Sequence, residues 1–266
     1  MTTQQEHSGA NERAWNSGAY EAWVSRFGLP PEAAERIKAR PADRLKGLYK
    51  YMGDLSGKKV VNLLGSHGSK AVAMALLGAD ATVVDIASEN ARYARELAQA
   101  AGVPLRYVVS DVLELPPEEL SGDYGLVLME FGILHYFTDL APLMKIVSGL
   151  LGREGRLVLQ DFHPVTTKLI TSKGTTANIR KHKVTGDYFD TSITEMEVAY
   201  SKFLPEEERT LLPKVQLRYW TLGEIVTAVA RAGLMLEELV EEPNQSSEVF
   251  DKGIPKTFTL VASKPL

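Results

Sequence analysis

The sequence contains no cysteine. That absence excludes a disulfide framework, a thiolate nucleophile and cysteine-based zinc sites, and it suits a reducing compartment. No metal-binding constellation is expected. No apolar run approaches the length that crosses a bilayer, so no membrane association is expected either. The opening stretch, MTTQQEHSGANER, lacks a basic start followed by an apolar core, and no signal peptide is expected there. Positive charge is not in excess: 30 Lys and Arg face 34 Asp and Glu, for a net charge of -4 and a pI near 5.8. Such a balance disfavours nucleic acid as a partner. Internal repeats and low-complexity tracts are also missing. What is present is an ordinary soluble composition, 44% apolar and 24% charged over 266 residues. That length supports a real core in one large α/β domain or two small ones, and a cytoplasmic monomer or homodimer is the expectation.

From Lys58 onward apolar runs alternate with helical patterns. KKVVNLL reads as a buried strand, and SKAVAMALLG as a helix stopped by Gly78. DATVVDI is a second strand. Ser88 then caps a helix with one face at 91, 94, 97, 98 and 101, closed by Gly102. PLRYVVS and YGLVLME are the third and fourth strands, LAPLMKIVSGLL the next helix, and GREGRLVLQDF a turn and fifth strand. Strands and helices at this spacing imply a mostly parallel sheet covered on both faces. The rhythm breaks after Pro164 and resumes with TLGEIVTAVARAG, LMLEELVEE and KTFTLVAS.

Four segments follow: 1–56, helical, with Pro31 and Pro41 at helix starts; 57–164, a core; 165–219, an insertion over the sheet; and 220–266, which completes the sheet. In 1–56, Trp15, Ala19, Ala22 and Trp23 fall at helical spacing, as a packing helix or a flap covering the ligand site with Tyr20 or Trp23 facing it. In the insertion, KGTTANIRKHK is either a solvated basic stretch or an attractor of an anionic substrate.

The loop after the first strand, VVNLLGSHGSK, keeps two glycines, Gly65 and Gly68. A glycine there permits close backbone approach and a positive φ, for which Leu64 and Ser66 are less suited. Alone, the loop is equally a strand-to-helix turn. The strand ends that follow add to it. Asp85 ends the second strand, where a carboxylate can take hydrogen bonds from ribose hydroxyls. Asp111 ends the third, in reach of an adenine amine, and Glu130 ends the fourth.

Together with ATVVDIAS, VVSDVLELP, GILHYF and LLGREGRLVLQDFHP, this set resembles the class I S-adenosylmethionine (SAM) methyltransferases. The resemblance implies a Rossmann-like sheet of seven strands, mostly parallel with the last antiparallel, and a SAM site at Asn62, Leu64, Gly65, Ser66, Gly68, Asp85, Ile86, Asp111, Val112 and Glu130. The product would be S-adenosylhomocysteine (SAH). Two features depart from the family. Asn62 stands where the family has an acid that helps hold the methionine ammonium, forfeiting about 1 kcal/mol of charge assistance. Leu64 and Ser66 replace glycines. Glu130 is expected to take over the ammonium.

By the same resemblance, His135 after the fourth strand, with Asp161 or His163 after the fifth, would flank the acceptor and manage its proton; imidazole suits that task at neutral pH. Tyr20, Trp23, Tyr136, Tyr219 and Trp220 would line the acceptor pocket. The expected function is methyl transfer to an oxygen or nitrogen of a small molecule. The alternatives are a tRNA or protein methyltransferase, disfavoured by the charge and by EFGI in place of an Asn-Pro-Pro-Tyr type motif, and a SAM-binding protein without transfer. An NAD-dependent oxidoreductase lacks its G-x-G-x-x-G spacing.

Overall fold

The apolar runs form the strands β1 (Lys59–Leu63), β2 (Asp80–Asp85), β3 (Arg106–Val109), β4 (Tyr124–Glu130) and β5 (Leu151–Phe162). The computed structural model describes residues 3–173, 181–243 and 253–266, with the side chains of 171–173 and 181–183 left aside. After β5 come two small antiparallel ladders, β6 (Ile170–Lys173) with β7 (Lys181–Val184) and β8 (Ile193–Met196) with β9 (Val215–Arg218). β10 (Met235–Pro243) and β11 (Pro255–Ser263) close the main sheet. Its order is β10-β11-β5-β4-β1-β2-β3. β1 through β5 pair in parallel, whereas β11 runs antiparallel to β5 and β10. The chain leaves β1 towards β3 and then crosses back to β4, so the order reverses between β1 and β4. That is where such a sheet opens a crevice at its carboxyl edge.

Side-chain alternation along each strand feeds two cores. Val60, Val83, Leu126 and Leu128 point to one face; Val61, Leu63, Val84, Val127 and Met129 point to the other. The second face is covered by α8 (Leu140–Leu150) and α10 (Leu222–Arg231). The first is covered by α6 (Ser69–Leu76), α7 (Ser88–Ala101) and the N-terminal helices α1 (Gln4–Trp15), α2 (Ala19–Phe27), α3 (Pro30–Ala39), α4 (Pro41–Leu45) and α5 (Tyr49–Met52). Both α3 and α4 start with proline, where the missing N–H costs nothing. α7 buries Ala91, Ala94, Leu97, Ala98 and Ala101 and ends at Gly102 with φ +73°.

Local details differ from the sequence reading. Ala87, not Ser88, occupies the N-cap of α7, and the Ser88 hydroxyl instead donates to Asn16 at 2.9 Å. GREG is not a turn before β5 but an irregular stretch inside it, where pairing with β4 shifts between Tyr124 and Leu126. The pattern from Trp15 to Trp23 is two helices, broken at Gly18, whose φ of +118° suits glycine alone. The second half of the insertion, which includes α9 (Glu206–Arg209), docks on α1. There Asn11 exchanges hydrogen bonds with the Gln216 backbone at 3.2 and 2.8 Å, and the Tyr200 hydroxyl donates to the Ala14 carbonyl at 2.7 Å. The basic stretch of the insertion lies largely outside the described residues. Among the described residues no helix is long and apolar enough to cross a membrane.

Candidate active site

The loop between β1 and α6 carries its glycines for packing. A Cβ on Gly65 would lie 2.8 Å from Asn62 Oδ1 and 2.9 Å from Val83 Cγ1, and one on Gly68 would lie 2.7 Å from Ala94 Cβ. Gly68 also has φ +70°, but Gly65 does not need the left-handed region. The residues that do are Leu64 and Ser66, each at φ +49°. The chain therefore adopts the backbone expected of a glycine-rich loop while bearing side chains there, at roughly 1–2 kcal/mol each. Ser66→Gly should leave stability unchanged or raise it by up to about 1 kcal/mol, since strain relief is partly offset by a freer unfolded chain. Urea denaturation measures this; a loss above about 1 kcal/mol would contradict the strain.

Beyond the carboxyl ends of β1 to β4 lies a cavity of about 380 Å³. Leu64, Gly65 and Ser66 line it from the β1 loop, Asp85 and Ile86 from β2, Asp111 and Val112 from β3, and Glu130 from β4. Asp85 is fixed by its donors. Oδ2 accepts from the Ser66 N–H at 2.9 Å, and Oδ1 from the Ala87 N–H at 2.9 Å and Asn90 Nδ2 at 3.1 Å. Three of about four acceptor positions are filled, which leaves room on Oδ2 for a ligand hydroxyl. Burial raises its pKa and these donors oppose the rise. The Asp111 carboxylate accepts from the Leu113 N–H at 2.9 Å. The Tyr107 hydroxyl donates to the Ser66 carbonyl at 2.8 Å and pins the loop. Asn62 and Gly68 do not line the cavity; they lie under its floor. Asn62 donates to the Leu128 carbonyl at 3.2 Å, and among the described residues its buried Oδ1 has no hydrogen-bond partner.

The roof comes from Ser8, Asn11 and Trp15 of α1 and Trp23 of α2, segments without any motif, and from Tyr136 of GILHYF. Trp15 Nε1 donates to the Tyr136 hydroxyl at 3.1 Å, and Trp23 Nε1 to Asn90 at 2.8 Å. One wall is cationic. Lys70, in the first turn of α6, forms an ion pair with Glu130, and Arg44 and Lys46 stand nearby. Burial, with Arg44 and Lys46 adding to it, pushes the Lys70 pKa down to about 7. Sequence reasoning missed these residues. One signal existed: Lys70 is the single charge in SKAVAMALLG.

His67 also lines the cavity, stacked between Trp23 and Phe27 with ring centroids 4.7 Å from each. Burial, with Arg44 and Lys70 adding to it, lowers its pKa to about 3. His135 falls to about 4, mainly through burial. Both stay neutral in the native state while the unfolded chain binds protons near pH 6.5. Between pH 6.5 and 5 the unfolded state therefore holds more protons, and stability should fall on acidification by at most about 1.4 kcal/mol per pH unit for each histidine. Urea midpoints at pH 7.5, 6 and 5 test this. A flat profile would contradict it, and His67→Gln should flatten it partly.

The residues expected at the acceptor's proton sit elsewhere. His135 lines a separate pocket of about 30 Å³ with Asp161, Tyr219 and Trp220. Gly132, which lines the main cavity, packs on the His135 ring. Asp161 accepts backbone N–H groups from Gly132 at 2.6 Å, Phe162 at 2.7 Å and Leu134 at 3.4 Å, so it braces the loop after β4. His163 is buried; its Nδ1 accepts from the Val165 N–H at 3.1 Å and its Nε2 donates to Glu241 at 2.7 Å, tying β5 to β10. Trp220 Nε1 donates to the Leu134 carbonyl at 2.9 Å. Tyr20 faces α7, where its hydroxyl donates to Glu96 at 2.6 Å under the Arg92 guanidinium. The cavity thus gathers Trp23 and Tyr136 but not Tyr20, Tyr219 or Trp220.

This donor and acceptor set fits an adenosyl amino acid. Asp85 and Asp111 offer acceptors from neighbouring strand ends, and the Glu130–Lys70 pair complements a zwitterion.

A sequence profile described as "Methyltransferase domain" matches residues 64–159. A ubiquinone biosynthesis O-methyltransferase from Bordetella parapertussis is 29% identical over 157 residues, 59% of this chain and 64% of that one. The Bordetella avium counterpart is 30% identical over 108 residues, 41% of this chain and 44% of that one. The chain thus spans less than two thirds of either relative. Among solved structures, a SAM-dependent methyltransferase from Listeria monocytogenes superposes with TM-score 0.66 at 19% identity, over 85% of this chain and 100% of that one. Magnesium protoporphyrin IX methyltransferase from Synechocystis PCC 6803, solved with bound SAH, gives 0.58 at 15% identity, over 97% and 99%. These two share the fold. Residues 64–159 thus match a methyltransferase-domain profile, and the chain shares its fold with solved SAM-dependent methyltransferases.

Proposed function

We propose that this protein transfers a methyl group from SAM to an oxygen or nitrogen of a small molecule and releases SAH. The observation that carries the reading is convergence: Asp85, Asp111 and Glu130, from the ends of three strands, face one cavity at the point where strand order reverses. When bound, SAM supplies a methyl group on a sulfonium whose leaving group is already good. Asp85 accepts from the ribose and Asp111 from the adenine amine. Glu130 and Lys70 exchange each other for the ammonium and carboxylate of the amino-acid end. Trp15, Trp23 and Tyr136 keep water out, and alignment with water exclusion is where most of the rate gain lies. The names of the Bordetella relatives favour oxygen as the acceptor atom.

The histidine lining the cavity, His67, is too weak a base at a pKa of about 3, and His135 faces the second pocket. Acceptors that shed their proton in solution suit such a site. Mass spectrometry of mixtures of the protein, SAM and a panel of carboxylic acids, phenols and amines tests the reading. SAH and a product heavier by one methylene are expected. The absence of both SAH formation and SAM or SAH binding would refute it.

A further inference from the structure

The cationic wall holds more charge than a cofactor needs. Among the described residues, Glu130 is the one carboxylate paired with Lys70, Arg44 or Lys46. Arg44 is held by neutral groups. Its Nε donates to Ser69 Oγ at 2.9 Å, and its Nη2 donates to Ser69 Oγ at 2.6 Å and to His67 Nε2 at 3.2 Å; among the described residues Nη1 makes no hydrogen bond. Among the described residues the Lys46 side chain makes no hydrogen bond or ion pair. Its backbone, at φ +48° and ψ -139°, is one that glycine ordinarily takes, so the chain accepts strain at this cavity-lining residue. Lys46 is exposed to solvent, whereas Arg44 is half-buried, and burying a cation without a counter-ion is costly. One amino-acid carboxylate can answer one of the three. Two remain, beside an aromatic roof of Trp15 and Trp23.

We infer that the methyl acceptor is an organic anion, carrying a carboxylate or phosphate between Arg44 and Lys46 and an apolar or planar body under Trp15 and Trp23. This rests on the methyltransferase reading above. Arg44 presents the fork that suits a planar or tetrahedral oxyanion, and Lys46 a second charge; a neutral analogue would leave both unanswered.

The test uses the full chain, saturated with SAH, and follows its tryptophan fluorescence. Benzoate and phenyl phosphate serve as anionic probes and benzamide as the neutral one; comparing the two anions decides between carboxylate and phosphate. At least one anion should bind saturably and about tenfold or more tighter than benzamide, with Lys46→Met weakening it about tenfold. SAH affinity of Lys46→Met should change less than about threefold, because the lost charge is solvent-exposed and screened. Arg44→Gln should repeat the pattern, and Lys46→Met guards against the loss of the Ser69 contacts in that variant. Equal binding of benzamide, no saturable anion binding, or a parallel loss of SAH affinity would each overturn the proposal. The last would assign the cations to the cofactor. SAH titration of the unaltered protein reports on the methyltransferase reading separately.

Discussion

Asp85→Ala should weaken SAH binding at least about 100-fold and lower stability by about 2–4 kcal/mol, because the carboxylate has two tasks. It faces the cavity as a hydrogen-bond acceptor, and it satisfies the Ser66 and Ala87 N–H groups and the Asn90 amide. Removing it strands buried donors and frees the loop that Ser66 belongs to. Asp85→Asn separates the tasks: an amide oxygen can still accept, but an NH2 group must face one of the N–H donors. Calorimetric titration with SAH and urea denaturation read the two losses independently. Intact SAH affinity in Asp85→Ala would remove this residue from the binding site.

Glu130→Gln should lower SAH affinity about 10–100-fold and stability by about 1–3 kcal/mol. The glutamine still accepts a hydrogen bond, but Lys70 is left facing Arg44 and Lys46 with no carboxylate at hand. Adding Lys70→Met to Glu130→Gln should recover most of the stability and none of the affinity, since the buried charge is gone while the zwitterion partners remain absent. A double-mutant cycle in urea, with SAH titrations of each variant, measures both. Unchanged affinity in Glu130→Gln would show that the ammonium is held elsewhere.

Much of this site was legible from residue order. Apolar runs of strand length fix which residues end each strand, and in a parallel sheet those ends share one edge, which brings Asp85, Asp111 and Glu130 together. Less legible was where a side chain beyond a strand end turns. Asp161 lies at the end of β5 and His163 just beyond it, but the bare N–H groups of the loop after β4 and the Glu241 carboxylate claim them. His135 turns to the same side as Asp161 because the 3-10 turn at Leu134–Tyr136 rotates it away from Tyr136, which lines the main cavity. The polar lining contributed by the N-terminal helices was least legible. Ser8, Asn11 and Arg44 reach the cavity through long-range packing of α1 and α4, and nothing in their local pattern sets them apart from solvated helix residues. The glycine-poor loop misled in one respect: left-handed backbone fell on Leu64 and Ser66, because packing against Val83 and Ala94 had first claim on Gly65 and Gly68.

The most direct measurement of the central claim is an experimental density map of the protein with SAH. The account predicts one adenosyl group across the ends of β1 to β4, its ribose on Asp85, its adenine by Asp111 and its amino-acid end between Glu130 and Lys70. Density for SAH at another surface, or an SAH whose ribose makes no contact with Asp85, would contradict it.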